Sequence, residues 1–187
     1  MITTIGISAY ASLVLLGQVI GVVTLLYFLW KRDTPELRWI ARHSVLLSFI
    51  VTLTAVSGTL FFSEIAHFGP CKICWFQRTA MYPLLFLFGT ALVLRSSEKI
   101  ITPFALITAS LGSFASLYHY ALERVVLPGG PCTPGGGDFA FCATPYFLQF
   151  GYITIPMMAL SGFLLVILLT GLRSLLLKDE DVINGNL

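Results

Sequence analysis

GPCKICWFQRTAMYPLLFLFGTALVLR, residues 69 to 95, is the stretch on which the fold turns. Between Arg78 and Arg95 lie sixteen uncharged residues, Thr79 to Leu94, which as helix span roughly 24 Å at 1.5 Å per residue. The hydrocarbon layer of a bilayer is about 30 Å thick, so a spanning helix has to run back through Gln77, Phe76 and Trp75 toward Cys74. That leaves Arg78 at or just below the outer headgroup level. It also sets a C-x-x-C pair, Cys71 and Cys74, at the mouth of a membrane helix.

Outward from this helix (Trp75 to Leu94), four further apolar runs reach or approach the roughly 20 residues a transmembrane helix needs. They are Ile5 to Trp30, Ser44 to Phe62, Ile100 to Leu122 and Gly151 to Leu172. Of the 187 residues, 57% are hydrophobic and 11% charged, a balance a soluble domain of this size could not keep out of water. Backbone polar groups inside hydrocarbon must be satisfied internally, and the runs lack the alternating polar face of a barrel, so the expected class is an all-α membrane protein. Pro83, Pro103 and Pro156 fall inside the runs, and kinks are expected there. A net charge of +2 without a basic stripe gives no case for nucleic acid.

Nothing basic precedes the first run and no small-residue cleavage site comes after it. It ends in Trp30, Lys31 and Arg32, an aromatic and basic flank that reads as a retained anchor with that end in the cytoplasm. With the N-terminus outside, the cytoplasmic segments hold Lys31, Arg32, Arg38, Arg42, Arg95, Lys99, Arg173 and Lys178, eight of the eleven basic residues, against Lys72, Arg78 and Arg124. The positive-inside rule therefore turns both cysteine-bearing segments outward.

Cys71, Cys74, Cys132 and Cys142 are the only cysteines, and their placement on the oxidising side suggests disulfides. Cys132 and Cys142 alone fit a structural staple in a Gly/Pro-rich segment as well as they fit a redox pair. Cys71 and Cys74 differ, because a four-residue loop removes little unfolded-state entropy. Their value is chemical if Cys74 sits at a helix N-terminus, where free amides and aligned dipoles favour thiolate. Covalent haem would need His after the second cysteine, where Trp75 stands. Zinc would want a second close pair, and nine residues separate Cys132 from Cys142.

Arg78 lies one turn after Cys74, on the same helix face. A cation there stabilises a leaving thiolate and polarises the oxygen of an electron acceptor; the plain alternative is that Arg78 snorkels to the interface. His119 and Tyr120 fall at the same depth near the end of the fourth run, where such residues are also ordinary interfacial anchors.

GPCKICWFQRTAMYPL at 69 to 84 resembles the active segment of the DsbB/BdbC family of membrane disulfide-bond formation proteins, in which C-x-x-C is followed closely by Gln-Arg or Glu-Arg. LYHYALE at 117 to 123, the paired Cys132 and Cys142, and ITIPMMAL at 153 to 160 add to the likeness. It covers about Ser44 to Arg173, and the short spacing of the second pair is closer to BdbC. The resemblance implies a four-helix transmembrane bundle over residues 44–173; the chain departs from that pattern in carrying an additional N-terminal transmembrane helix and cytoplasmic loop over 1–43, and its residues 174–187 read as a cytoplasmic tail. It also implies a relay. A reduced DsbA-like thioredoxin-fold partner attacks the Cys132–Cys142 disulfide through Cys132. Cys142 then attacks Cys71, and Cys74 leaves as a thiolate facing a quinone, ubiquinone or menaquinone, held near Arg78, His119 and Gln77. The segment ERVVLPGGPCTPGGGDFAFC, residues 123 to 142, suits such exchange, since its Pro and Gly prevent a rigid element.

A membrane assembly protein with two structural disulfides would leave Gln77 and Arg78 unaccounted for. A transporter would call for charged pairs within the spans or an internal repeat, and neither is present. A vitamin K epoxide reductase-like oxidase shares the chemistry, but its motif after C-x-x-C differs.

Overall fold

The computed structural model of the chain describes residues 2–31, 34–68, 72–94, 98–124 and 145–183. Within them run six helices: α1 (Ile2–Trp30), α2 (Pro35–Arg42), α3 (Ser44–Leu60), α4 (Lys72–Leu94), α5 (Glu98–Arg124) and α6 (Ile155–Ile183). A π-helical turn, Phe61–Ile65, continues α3. The protein is an all-α membrane protein, with five helices among the described residues long and apolar enough to cross a bilayer. Phe86, Val93 and Ile107 point outward at more than 60% exposure, which suits contact with acyl chains.

α3, α4, α5 and α6 form a closed ring in which each helix packs on its sequence neighbour and α3 returns onto α6. Leu84, Phe88, Phe163 and Val166 fill the centre, fully buried. Lipid tails are as apolar as leucine, so close packing and hydrogen bonds must hold such helices together. α5 turns a stripe of small residues inward: Ala105, Ala109, Gly112 and Ser116 are buried on one face. Gly112 meets the ring of Phe163 where a side chain would otherwise stand. α1 packs on α6 from outside this ring.

Three local features differ from the sequence expectation. Residues 35–42, read as loop, form α2. Thr34 at its cap is extended and Pro35 opens it, the position where proline's fixed φ and missing N–H cost nothing. Leu37 and Ala41, one turn apart, are fully buried, and α2 packs on α6. Arg173, counted in the sequence only as an orienting charge, donates from Nη1 to the carbonyls of Ala41 (3.2 Å) and Arg42 (3.3 Å) and to Ser44 Oγ (3.4 Å). A cation thus satisfies orphan carbonyls at the helix C-terminus.

The second difference is at the last span. Residues 149–153 form a tight turn, so the run read from Gly151 becomes helix only at Ile155: Tyr152 N–H donates to the Gln149 carbonyl at 3.2 Å, and Gln149 and Ile153 pair through their backbones. Phe150 (φ 51°) and Gly151 (φ 80°) are both left-handed, as a type I′ turn requires. α5 holds this turn, since Tyr120 Oη donates to the Tyr152 carbonyl (3.3 Å) and Arg124 Nη2 to the Gly151 carbonyl (3.2 Å). The third concerns proline. Pro83 and Pro103 lie inside helices, but Pro156 falls in the first turn of α6, where its missing N–H would have had no helical partner anyway.

Candidate redox site at the cysteine end of the bundle

α4 begins at Lys72, which puts Cys74 in its first turn. The first turn of a helix carries the positive end of its dipole, a setting suited to a redox-active sulfur. Cys74 is half-buried, and so is Arg78 one turn further on; both line the same groove. Their shared face comes from i, i+4 spacing alone.

Arg78 does not trail toward the surface. Its Nη2 donates to the Thr59 carbonyl at 2.9 Å and to Ser63 Oγ, and its guanidinium lies 5.6 Å from the centroid of the Trp75 ring. The π-helical turn presents Ser63. A widened turn adds a residue to the helical circuit and re-aims the side chains beyond it, and such turns recur at functional sites. The turn ends at Ala66, after which His67 is left-handed (φ 53°) and Phe68 N–H donates back to the Phe62 carbonyl at 2.9 Å.

Gln77 is buried beside Arg78, and its Nε2 stands 3.4 Å from His119 Nδ1 on α5. Gln77 lines the groove; His119, 2% exposed, sits behind it. The structure therefore brings Cys74, Gln77, Arg78 and His119 together from α4 and α5. Cys71, Cys132 and Cys142 lie outside the described residues.

The groove has a volume of about 380 Å³ and is walled by α1, α3, α4 and α6. Its size falls within the roughly 300–1,000 Å³ of small-molecule sites. Arg78 is the sole ionised side chain among its described lining residues, and Cys74 and Gln77 stand with it at one end. The remainder is nearly all apolar, from Phe62 and Met158 at the cysteine end to Ile50 and Leu165 deeper in. A compact head with acceptor oxygens and an apolar body would find its complement here.

The family model for disulfide bond formation protein DsbB matches residues 41–173. The chain belongs to the DsbB family. Among the relatives of this DsbB-family chain, disulfide bond formation protein C of Bacillus subtilis is 40% identical over 123 residues, 65% of this chain and 85% of that protein. Probable disulfide formation protein C 1 of Bacillus cereus is 40% identical over 122 residues, 64% of this chain and 80% of its own length. The probable disulfide formation protein of Oceanobacillus iheyensis is 33% identical over 143 residues, 75% and 92% of the two chains. No solved structure matches. DsbB-family membership makes the chain a multi-pass membrane protein of disulfide formation, with the role of a thiol oxidoreductase.

Sequence reasoning missed Thr59 on α3 and Ser63 on the π-helical turn, the Arg78 acceptors. A serine next to a glutamate (Ser63, Glu64) at the end of an apolar run is a usable signal. It also missed Gln18, the one amide side chain of α1, which the structure uses to bind that helix to the rest.

Proposed function

We propose that this DsbB-family protein reoxidises a DsbA-like thioredoxin-fold thiol oxidase and delivers the electron pair to a membrane quinone, sustaining disulfide formation in exported proteins. The observation that carries the reading is the meeting of Cys74, Gln77 and Arg78 at one end of an apolar groove. A partner thiolate attacks the Cys132–Cys142 disulfide at Cys132, forming a mixed disulfide and releasing Cys142. Cys142 attacks Cys71, one sulfur–sulfur bond forms as another breaks, and Cys74 departs as thiolate. The partner's second thiol resolves the mixed disulfide and frees Cys132, which attacks Cys142, restoring the Cys132–Cys142 disulfide and releasing Cys71; the Cys71 and Cys74 dithiol then gives two electrons and two protons to the quinone, leaving quinol and the re-formed Cys71–Cys74 disulfide.

The chain's own residues prepare this end for that exchange. The Arg78 charge and the first-turn amides of α4 stabilise the Cys74 thiolate. Arg78 and Gln77 supply N–H donors to an acceptor oxygen, and His119, behind Gln77, acts as a positioning residue for its amide. Mixing the purified protein with a reduced DsbA-like protein and a quinone, and tracking quinone absorbance, tests the reading. No reduction of any common quinone would overturn it.

The relay also needs the cysteine end on the oxidising side, with the N-terminus outside and the C-terminus in the cytoplasm. In a variant lacking the native cysteines, an impermeant maleimide on intact cells should label Thr3→Cys and spare Ser97→Cys. The reverse pattern would invert the orientation.

A further inference from the structure

The family match spans residues 41–173, yet one wall of the groove comes from outside it. α1 contributes Leu13, Leu16 and Ile20 to the lining, and α3 contributes Ile50 and Thr54. We propose that α1 is part of the acceptor site, and that the groove it shares with α3 and α6 holds the isoprenoid tail of the quinone whose head lies at Cys74 and Arg78. This rests on the quinone reading above and extends it to a helix the family match leaves out.

Polar bonds fix α1 in place. Gln18 Nε2 donates to Ser161 Oγ at 2.7 Å, Tyr152 Oη donates to Gln18 Oε1 at 2.7 Å, and Ser161 Oγ donates to the Met157 carbonyl at 2.8 Å. Such bonds hold helices together where apolar contact with a neighbour is no better than contact with lipid. Gly17 and Gly21 bring the α1 backbone against Leu165: side-chain carbons there would fall 3.1 and 2.8 Å from its methyl carbons. Toward α3, Tyr10 bridges at the cysteine end, lying against Gly58 and packing on Phe61 and Phe62 at centroid distances of 5.6 and 5.8 Å. Tyr10, Gly58 and Phe62 of this bridge themselves line the groove, and its wall on α3 and the π-helical turn reaches from Phe62 to Ile50, about 18 Å at 1.5 Å per residue.

The shape selects the ligand class. One end offers a cation, an amide and a sulfur, and the depth beyond it offers hydrocarbon. A small soluble oxidant would use the first and have no need of the second. An acyl chain of a bilayer lipid would use the second alone. A quinone with an isoprenoid tail uses both, and the two regions are continuous.

The test compares, in the full chain reconstituted in nanodiscs, two quinones with the same head, one with a long isoprenoid tail and one with none. Leu16→Trp fills the groove from α1, and Thr54→Leu narrows it from the facing wall. In each, the ratio of kcat/KM for tailed over tail-less quinone should fall about tenfold, the effect of losing roughly two buried methylene contacts. An unchanged ratio in both variants would overturn the proposal. A tailed quinone carrying a photoreactive group on its tail gives a readout that needs no variant: in the wild type it should crosslink to residues 10–20, and label confined to α3–α6 would also overturn it. A wild type that reduces neither quinone would instead remove the quinone reading itself, a result distinct from wild-type turnover with no tail preference.

Discussion

Cys74→Ser will capture its thiol partner and pass no electrons to a quinone. The substitution keeps the first turn of α4 and nearly the same side-chain volume but removes the sulfur that lines the groove. The exchange steps that begin at Cys132 use other sulfurs, so a mixed disulfide with the partner should still accumulate on a non-reducing gel. Quinone absorbance after mixing with reduced partner should stay at the uncatalysed rate. Wild-type quinone reduction by the variant would show that another cysteine faces the acceptor.

The second large effect belongs to Arg78. Arg78→Met should slow quinone reduction roughly tenfold to a hundredfold, the equivalent of about 1 to 3 kcal/mol and the scale of a charge-assisted hydrogen bond. The bundle should remain folded, because Arg78 is half-buried and its removal leaves no buried unpaired charge behind. Arg78→Lys should be intermediate. A guanidinium carries five N–H donors in a planar fork, and the described bonds to Thr59 and Ser63 both come from Nη2. A lysine keeps the charge, but one ammonium cannot hold α3 and also present a planar donor to the acceptor. Single-turnover kinetics and quinone titrations on the purified variants decide it; unchanged affinity and turnover in Arg78→Met would reduce this arginine to a structural tie between α4 and α3.

What the sequence made legible was local or set by length. Five spans could be read because hydrocarbon thickness fixes how many apolar residues a crossing needs. The shared face of Cys74 and Arg78 could be read because four residues make about one helical turn. What it hid depends on contacts between distant segments. α1 is apolar all round, so no periodic face says which side meets the bundle; Gln18, Gly17 and Gly21 decide that only through Ser161 and Leu165 on α6. The tie from Gln77 to His119 joins residues 42 positions apart. α2 was hidden for a different reason: Thr34–Pro35 and the buried pair Leu37 and Ala41 mark a short amphipathic helix, but eight residues fall far below the length that marks a membrane span.

The turn at Gln149–Ile153 bears on the kinetics of the relay. Arg124 at the end of α5 bonds to the Gly151 carbonyl, and Tyr120 to that of Tyr152. The described segments on either side of residues 125–144, whose sequence holds Cys132 and Cys142, are thereby tied to each other. Under the proposed relay, Cys142 meets Cys71 at an effective concentration fixed by this tether and independent of how much protein the membrane contains. Transfer between the two cysteine pairs is then a first-order event, while arrival of the partner stays second-order. Dilution or scarcity of the partner slows only the arrival.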